Sequence, residues 1–215
     1  MTNLFLRKAD SWVQRLALGA AALMLTACSA LRPTSSQPPV FYSLDSQLKL
    51  SAPTARGTVA STLPTLIVNT PSAASGFDSQ RIIYVREDHK LEYFAHSEWV
   101  DPPARMLGPL LVAAINQAGA FGTVVLTPAS VSGELRLTTQ IIRLQQNFQS
   151  NPSRVQFTLR AYLTDEKTRV VLAWREFNAE ATAPSDNAQG GVDAANQAVQ
   201  DVLAQLALFV ATASR

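Results

Sequence analysis

Apolar residues recur along the chain at two spacings, one typical of strands and one typical of helices. In residues 154–163 every second residue is apolar, which predicts a strand with one buried face. Similar stretches, rich in β-branched and aromatic residues, are bounded by proline, glycine or polar turns. They comprise residues 40–44, 63–70, 82–86, 91–95, 123–126, 134–144 and 170–181.

Two further stretches carry apolar residues three and four positions apart, which predicts amphipathic helices. The first covers residues 106–118, with Gly119 or Gly122 as its end. Its start is predicted at Asp101 and the two prolines that follow, since Asp can cap free amides and proline suits the first turn. The second covers residues 192–210 and predicts a C-terminal helix.

The order of these elements predicts how the sheet is connected. The polar turn at residues 87–90 joins two strands into a hairpin. The three long strands after residue 134 are joined by short turns, which favours an antiparallel meander. Ile142 breaks the alternation of the first of them, which indicates a bulge or a strand covered on both faces. The strand–helix–strand path through residues 91–126 makes a parallel pair plausible. We therefore predict a single α/β sandwich, with one mixed, mostly antiparallel sheet packed against two amphipathic helices.

The N-terminal stretch has the composition of a secretory signal. Arg7, Lys8 and Arg15 precede an apolar run at residues 16–25. That run is about ten residues long, whereas a membrane-spanning helix needs about 20. Basic residues, a short apolar run and small residues at its end predict a cleaved signal peptide.

The tetrapeptide that closes this run, Leu-Thr-Ala-Cys at residues 25–28, resembles the lipobox of bacterial lipoproteins. The resemblance implies cleavage after Ala27 and covalent lipid on Cys28, with three acyl chains including palmitate. An ordinary secretory signal that leaves a free thiol is the alternative. Ser29 stands where an Asp retains enterobacterial lipoproteins at the inner membrane, which implies the outer membrane for this chain.

Composition then divides the chain into three parts. Residues 1–27 are the predicted signal peptide, residues 28–39 the lipidated cysteine with a Pro/Ser-rich tether, and residues 40–215 a single domain. The net charge of +2 belongs to the signal, so the remainder carries 15 basic and 15 acidic residues. This balance disfavours a nucleic-acid partner. Cys28 is the only cysteine, so no disulfide is expected.

Side chains suited to catalysis are sparse. His89 lies in a turn and His96 at a strand end, and neither has the spacing of a zinc ligand. No nucleophile elbow is present. A glycosidase-like pair is conceivable among the carboxylates near the hairpin, although solvated turn and cap residues are the simpler interpretation. These carboxylates are Glu87, Asp88, Glu92, Glu98 and Asp101. We predict no catalytic residue, no metal and no cofactor beyond the lipid on Cys28.

The aromatic residues of the hairpin are the candidate partner surface. Tyr84, Tyr93, Phe94 and Trp99 lie on the hairpin or just after it. They could form cross-strand pairs that stabilise the sheet, or an exposed patch for a partner or lipid. Trp99 is also suited to a buried anchor beside the helix start. Trp174 and Phe177 are expected to be packed structural residues.

Several short stretches together resemble a known family. Phe-Tyr-Ser-Leu at residues 41–44 follows the tether, and Leu-Pro-Thr-Leu-Ile-Val follows at residues 63–68. The sharpest part is residues 80–106, from Gln-Arg-Ile-Ile-Tyr through the hairpin to Asp-Pro-Pro. This order resembles the ABC-type transport auxiliary lipoproteins, the family of paraquat-inducible protein C, over essentially the whole chain after the signal.

The resemblance implies a non-enzymatic part in phospholipid traffic between the two membranes of a Gram-negative envelope. It implies an ABC transporter complex and a mammalian-cell-entry (MCE) domain protein as partners, a lipid-anchored position on the periplasmic face of the outer membrane, and homo-oligomeric rings. Two alternatives stay open. One is a lipoprotein that assembles outer-membrane proteins, and the other, less favoured, is a tethered envelope hydrolase.

Overall fold

Nine strands and two helices make up the described part of the chain, which is residues 38–45 and 63–214 of a computed structural model. The signal, Cys28, most of the tether and residues 46–62 lie outside it. The strands are β1 (Val40–Tyr42), β2 (Thr65–Val68), β3 (Ser72–Ala73), β4 (Arg81–Val85), β5 (Glu92–Trp99), β6 (Thr123–Leu126), β7 (Leu135–Asn147), β8 (Arg154–Asp165) and β9 (Val171–Thr182). The helices are α1 (Pro103–Ala118) and α2 (Ala188–Ala213).

Strand β7 organises the sheet. On one side it pairs antiparallel with β8 from Leu135 to Asn147, and β8 pairs antiparallel with β9. On its other side β7 takes three short strands in turn, β2, β3 and β4, all parallel to it. β2 then pairs with β6, and β4 carries β5 and β1. The result is an open mixed sheet in which the long pairings are antiparallel, as predicted.

Both helices pack on the same face of this sheet. α2 lies on β7, β8 and β9, α1 lies on β2, β3 and β6, and the two helices contact each other. Alternate residues of β8, from Val155 to Leu163, point into the core, as the period of two predicts. They meet apolar residues of both helices that are completely buried, such as Leu107, Leu111 and Leu203. The predicted α/β sandwich is confirmed.

The irregularity predicted in β7 is a bulge. The register with β8 shifts between Ile141 and Arg143, which leaves Ile142 as the extra residue. Because of this extra residue, the core-facing positions change from odd-numbered to even-numbered residues. Leu137 and Ile141 before the bulge and Leu144 after it therefore all face the core. A single extra residue therefore keeps apolar residues on one face along 13 residues of strand.

The predicted start of α1 is right in position but wrong in mechanism. Pro102 is the N-cap, and no side chain caps the helix. Asp101 instead forms an ion pair with Arg105, at 3.3 Å between Oδ1 and Nε. Gly119 ends the helix in the left-handed region, with φ of 69°.

The second helix, α2, begins earlier than its apolar pattern suggests, because the Asn187 side chain accepts a hydrogen bond from the Gly190 N–H at 2.9 Å.

Trp174 and Phe177, which we expected to be packed, lie three residues apart on β9. Their side chains therefore point to opposite faces of the sheet. Phe177 faces the helices, is 1% exposed and meets the ring of Phe209 at 5.6 Å. Trp174 faces away from the helices and is 61% exposed, so the expectation of a buried Trp174 is wrong. It does stack on its cross-strand neighbour Tyr162, with ring centroids 6.2 Å apart. Of the described helices, none is long and apolar enough to cross a membrane.

Candidate functional site

The hairpin β4–β5 carries the four aromatic residues of the candidate partner surface and places them in three environments. In the pairing of β4 with β5, Ile83 lies opposite Tyr93 and Tyr84 lies opposite Glu92. Because neighbouring residues of a strand point to opposite faces, Tyr93 and Phe94 cannot share a surface. The sequence places these residues close together along the chain, and the pleat separates them.

Tyr84 and Phe94 form an aromatic cluster on one face of the hairpin. Their ring centroids are 4.7 Å apart, and both meet the ring of Phe148, at 5.6 Å from Tyr84 and 6.4 Å from Phe94. Arg86 covers the outer side, with its Cζ 4.9 Å from the Tyr84 centroid and Nη2 donating to the Tyr84 hydroxyl at 3.2 Å. These rings are partly buried, so the cluster stabilises the join between the hairpin and β7.

Tyr93 lies on the other face and borders an open depression of about 430 Å³. Its ring is half exposed, and the guanidinium carbon of Arg81 sits 4.3 Å from its centroid. Ile83 and the exposed Leu91 give the depression an apolar lining. Its remaining lining residues are Gly76, Asp78 and Ser79. A depression with an apolar floor, and with one cation and one carboxylate in its lining, can receive a side chain or a small amphipathic group.

Trp99, the fourth aromatic residue, is part of the core. It is 3% exposed and packs with residues of both the sheet and the helices. Its backbone N–H donates to the Gln80 carbonyl at 2.7 Å, which closes the open end of the hairpin. This is the buried-anchor alternative, and it leaves Tyr93 as the member of the set that a partner can reach most fully.

The carboxylates and histidines of this region do not converge. Glu92 lies near Arg86 and Lys90, at 3.9 and 3.8 Å, and Glu87 near Lys90 at 3.4 Å. His89 is in the exposed turn with φ of 64°, and His96 is exposed on β5. Across the described residues, no three His, Cys, Asp or Glu side chains are grouped to hold a metal ion.

The strongest electrostatic contact in the described residues lies elsewhere, between β7 and the β8–β9 turn. Arg136 donates two hydrogen bonds to Glu166, at 2.6 and 2.9 Å. Hydrogen bonding to Arg136 holds the pKa of Glu166 below its ordinary value and raises that of Arg136. In the same turn, hydrogen bonds from Thr168 lower the pKa of Asp165. These ionised groups order the turn.

Sequence reasoning missed three residues of this region. Phe148 completes the aromatic cluster, and Arg81 and Leu91 complete the depression. Phe148 follows the end of β7, about 60 residues from Tyr84, so only the parallel pairing of β4 with β7 brings it close. Arg81 and Leu91 flank the hairpin strands and could have been found from the cross-strand register. Cys28 and Ala27 lie outside the described residues.

Comparisons with known proteins agree with this fold. A family model described as the ABC-type transport auxiliary lipoprotein component matches residues 42–207. The crystal structure of protein XCC0632 from Xanthomonas campestris superposes with a TM-score of 0.69 at 22% identity, over 81% of this chain and 95% of that one. A second crystal structure, of an uncharacterised protein, superposes with a TM-score of 0.62 at 14% identity, over 81% and 99% of the two chains. No curated protein matches.

A more distant likeness concerns assembly. A dodecamer of PelC from Paraburkholderia phytofirmans superposes with a TM-score of 0.41 at 13% identity, over 66% of this chain and 86% of that one. At this level of similarity it carries no information about the oligomeric state of this chain.

Proposed function

Because the chain belongs to the family of ABC-type transport auxiliary lipoprotein components, with a match over residues 42–207, we propose that it is a non-enzymatic docking component of an MCE-type ABC transport system. In this proposal it moves no substrate by itself. It holds the MCE-domain protein and the transporter complex at the outer membrane, where phospholipid passes between the two membranes.

The observation that carries the proposal is the extent of the family match. It runs from the last residue of β1 to the last third of α2, so it takes in the sheet, both helices and the hairpin surface. The function therefore belongs to the folded domain as a whole. The described residues add no constellation of nucleophile, base and orienting group, which favours docking over hydrolysis.

The anchor of the proposal is Cys28. Three acyl chains on its sulfur and amine would hold the domain on a bilayer, since each buried methylene contributes about 0.8 kcal/mol and a single chain binds only marginally. Ser29 favours the outer membrane, and the Pro/Ser-rich tether at residues 29–39 would set the domain clear of the lipid headgroups.

The contact surface of the proposal is the part of the hairpin that a partner can reach. Tyr93 and Leu91 expose about half of their side chains beside the depression, and Arg81 braces the Tyr93 ring. Aromatic residues and arginine are the residue types most often found at the centres of protein interfaces. A protein partner is thus the simplest occupant for this surface.

Co-purification of the full chain from detergent-solubilised envelopes tests the proposal. Recovery of an MCE-domain protein, with or without the permease and ATPase, is the expected result. Recovery of an outer-membrane barrel alone would replace the proposal with the assembly-factor alternative. Turnover of a wall substrate with neither partner would replace it with the hydrolase.

A matched pair of variants connects the result to the surface. Tyr93→Ala should lower recovery of the MCE-domain protein. Leu208→Ala removes another exposed apolar side chain, on α2, and should leave recovery unchanged. Equal recovery with both variants would show that the hairpin surface is not the contact.

A further inference from the structure

Four strands in the described part of the chain pair with only one other strand, and they differ in length. β3 has two residues, β1 has three and β6 has four, whereas β9 has twelve. β9 pairs only with β8 among the described strands. Long free edges are usually blunted by proline, by charged side chains, by a bulge or by a covering segment. Residues 171–182 contain no proline, the bulge of this pairing lies near one end, and both glutamates of β9 lie beside arginines of β8.

The hydrogen-bond pattern between β8 and β9 shows which backbone N–H and C=O groups of β9 have no partner in β8. The Ala183 N–H donates to the Ser153 carbonyl at 2.9 Å, which makes these two residues a hydrogen-bonded pair. In an antiparallel ladder every second pair is of this kind. With the register unbroken as far as Leu163, the intervening residues of β9 turn their N–H and C=O groups away from β8. They are Trp174, Glu176, Asn178 and Glu180.

The side chains along this edge are apolar at one end. Val170, Val171, Leu172 and Trp174 are each about half exposed or more. Trp174 is held in place by the Tyr162 ring beneath it, at 6.2 Å between centroids. A large aromatic side chain that is already ordered loses little freedom when a partner covers it.

The charges along β9 leave one cation unmatched. Glu176 is bound by Arg160, at 2.9 Å, and Glu180 lies 3.7 Å from Arg154 and accepts a hydrogen bond from Gln156 at 3.0 Å. Arg175 forms no salt bridge with any described residue, and its Cζ lies 5.3 Å from the Phe177 centroid. Arg175 lies on the helix side of β9, opposite in parity to Trp174.

We propose that the β9 edge (residues 170–180) binds an extended segment of a partner protein as an additional strand. Only an extended backbone matches the free amides at every second residue. The segment alternates in character, with an apolar residue against Trp174 on the outer face and an acidic residue opposite Arg175 on the helix side. The proposal adds an attachment surface to the function proposed above and rests on it only for the identity of the partner.

The apolar end of the β9 edge, at residues 170–174, is well separated from the hairpin surface along the strand direction. β4 pairs with β7 at Gln146 and Asn147, while the β8–β9 turn lies beside Leu135, at the other end of β7. At about 3.3 Å per residue, the eleven steps from Leu135 to Gln146 span roughly 36 Å. One partner can therefore engage the two surfaces through different segments, and each surface can be tested without the other.

A synthetic peptide of alternating valine and glutamate tests the edge directly on the full lipidated chain in detergent. We expect saturable binding by fluorescence anisotropy, and slower amide exchange at Trp174, Glu176, Asn178 and Glu180 in the complex. A peptide with lysine in place of glutamate should bind at least about tenfold more weakly. Arg175→Glu should reverse this preference, whereas Arg143→Glu, a charge reversal at an exposed position of β7, should not.

Absence of binding, binding without amide protection at those four residues, or an Arg175→Glu variant with unchanged preference would each overturn the proposal. Arg175 is exposed, so the variant is expected to fold, which circular dichroism checks. Because the probe is synthetic, a negative result here leaves the proposed transport function standing. Conversely, failure to recover an MCE-domain protein leaves the peptide result standing.

Discussion

Gly191 of α2 lies against the side-chain amide of Gln146 in β7. A methyl group added at Gly191 would lie 2.1 Å from Oε1 and 2.8 Å from Cδ of Gln146. Gln146 is 2% exposed, and its Nε2 donates to the Ser153 hydroxyl oxygen at 2.9 Å, so it cannot swing aside without losing that bond. The absence of a side chain at residue 191 is thus what lets the first turn of α2 rest on the sheet.

We expect Gly191→Ala to destabilise the protein. Alanine favours a helix over glycine by about 1 kcal/mol. Overpacking against a fixed core side chain costs about 1–3 kcal/mol, so the clash should prevail. Urea denaturation followed by circular dichroism measures the change in the free energy of unfolding. A variant more stable than the parent would show that α2 can shift on the sheet.

A double-variant cycle separates this contact from general helix effects. Gln146→Ala removes the atoms that the new methyl group would meet, at a cost of its own. Combined with Gly191→Ala, it should be less destabilising than the sum of the two single changes, because neighbours in contact are not additive. If the two losses of stability were additive, the destabilisation by Gly191→Ala would not come from its contact with Gln146.

The ion pair between Arg136 and Glu166 predicts a pH dependence of stability. The pKa of Glu166 is lowered in the folded state, so its contribution is complete above its ordinary pKa. That contribution is lost as the pH falls through the folded value. We expect Glu166→Gln to be less stable than the parent at pH 7, with the difference narrowing below about pH 4. Denaturation at several pH values checks this.

The control for this prediction is a carboxylate without such a partner. Asp193 lies on the exposed side of α2, where its Oδ1 accepts a hydrogen bond from Gln189. Asp193→Asn should change the stability little across the same range. If the stabilities of Glu166→Gln and Asp193→Asn changed with pH in the same way, the contact with Arg136 would not be the source of the pH dependence.

Unequal losses of stability are expected from substitutions at the two neighbouring aromatic residues of the hairpin. Phe94→Ala opens the cluster with Tyr84 and Phe148 and should cost about 2–4 kcal/mol, measured as a loss in the free energy of unfolding. Tyr93→Ala removes a half-exposed ring and should cost less than about 1 kcal/mol. Similar costs for both would mean that the Tyr93 ring is more firmly packed than its exposure suggests.

Lipidation is tested at Cys28. Cys28→Ser should abolish incorporation of radioactive palmitate and leave an uncleaved precursor, because the modified sulfur is required before cleavage in the lipoprotein family that the tetrapeptide resembles. Electrophoresis of labelled envelopes shows both effects at once. Continued labelling of the variant would remove the anchoring part of the proposed function, and Ser29→Ala serves as the neighbouring control that should still be labelled.

Much of the fold could be predicted because its signals are local. The period of two in β8, the helical stripes of α1 and α2 and the interruption at Ile142 all follow from side-chain burial on a single element. The candidate site was less predictable. Its four aromatic candidates were named, but Phe148, Arg81 and Leu91 were missed. The pleat of β5 also assigns Tyr93 and Phe94 to different faces, and a cross-strand register cannot be read from one strand alone.

The sequence by itself determined eight of the nine described strands, both helices, their order, the α/β class and the resemblance to a transport lipoprotein family, since burial periodicity and motifs are carried by neighbouring residues. The two-residue strand β3 was not predicted. Only the tertiary structure decided that β7 would take three parallel strands along one edge, that Trp99 would be buried and Trp174 exposed, and that β9 would pair on one side only among the described strands. These depend on which strands pair, and strand pairing joins residues that are far apart in the chain.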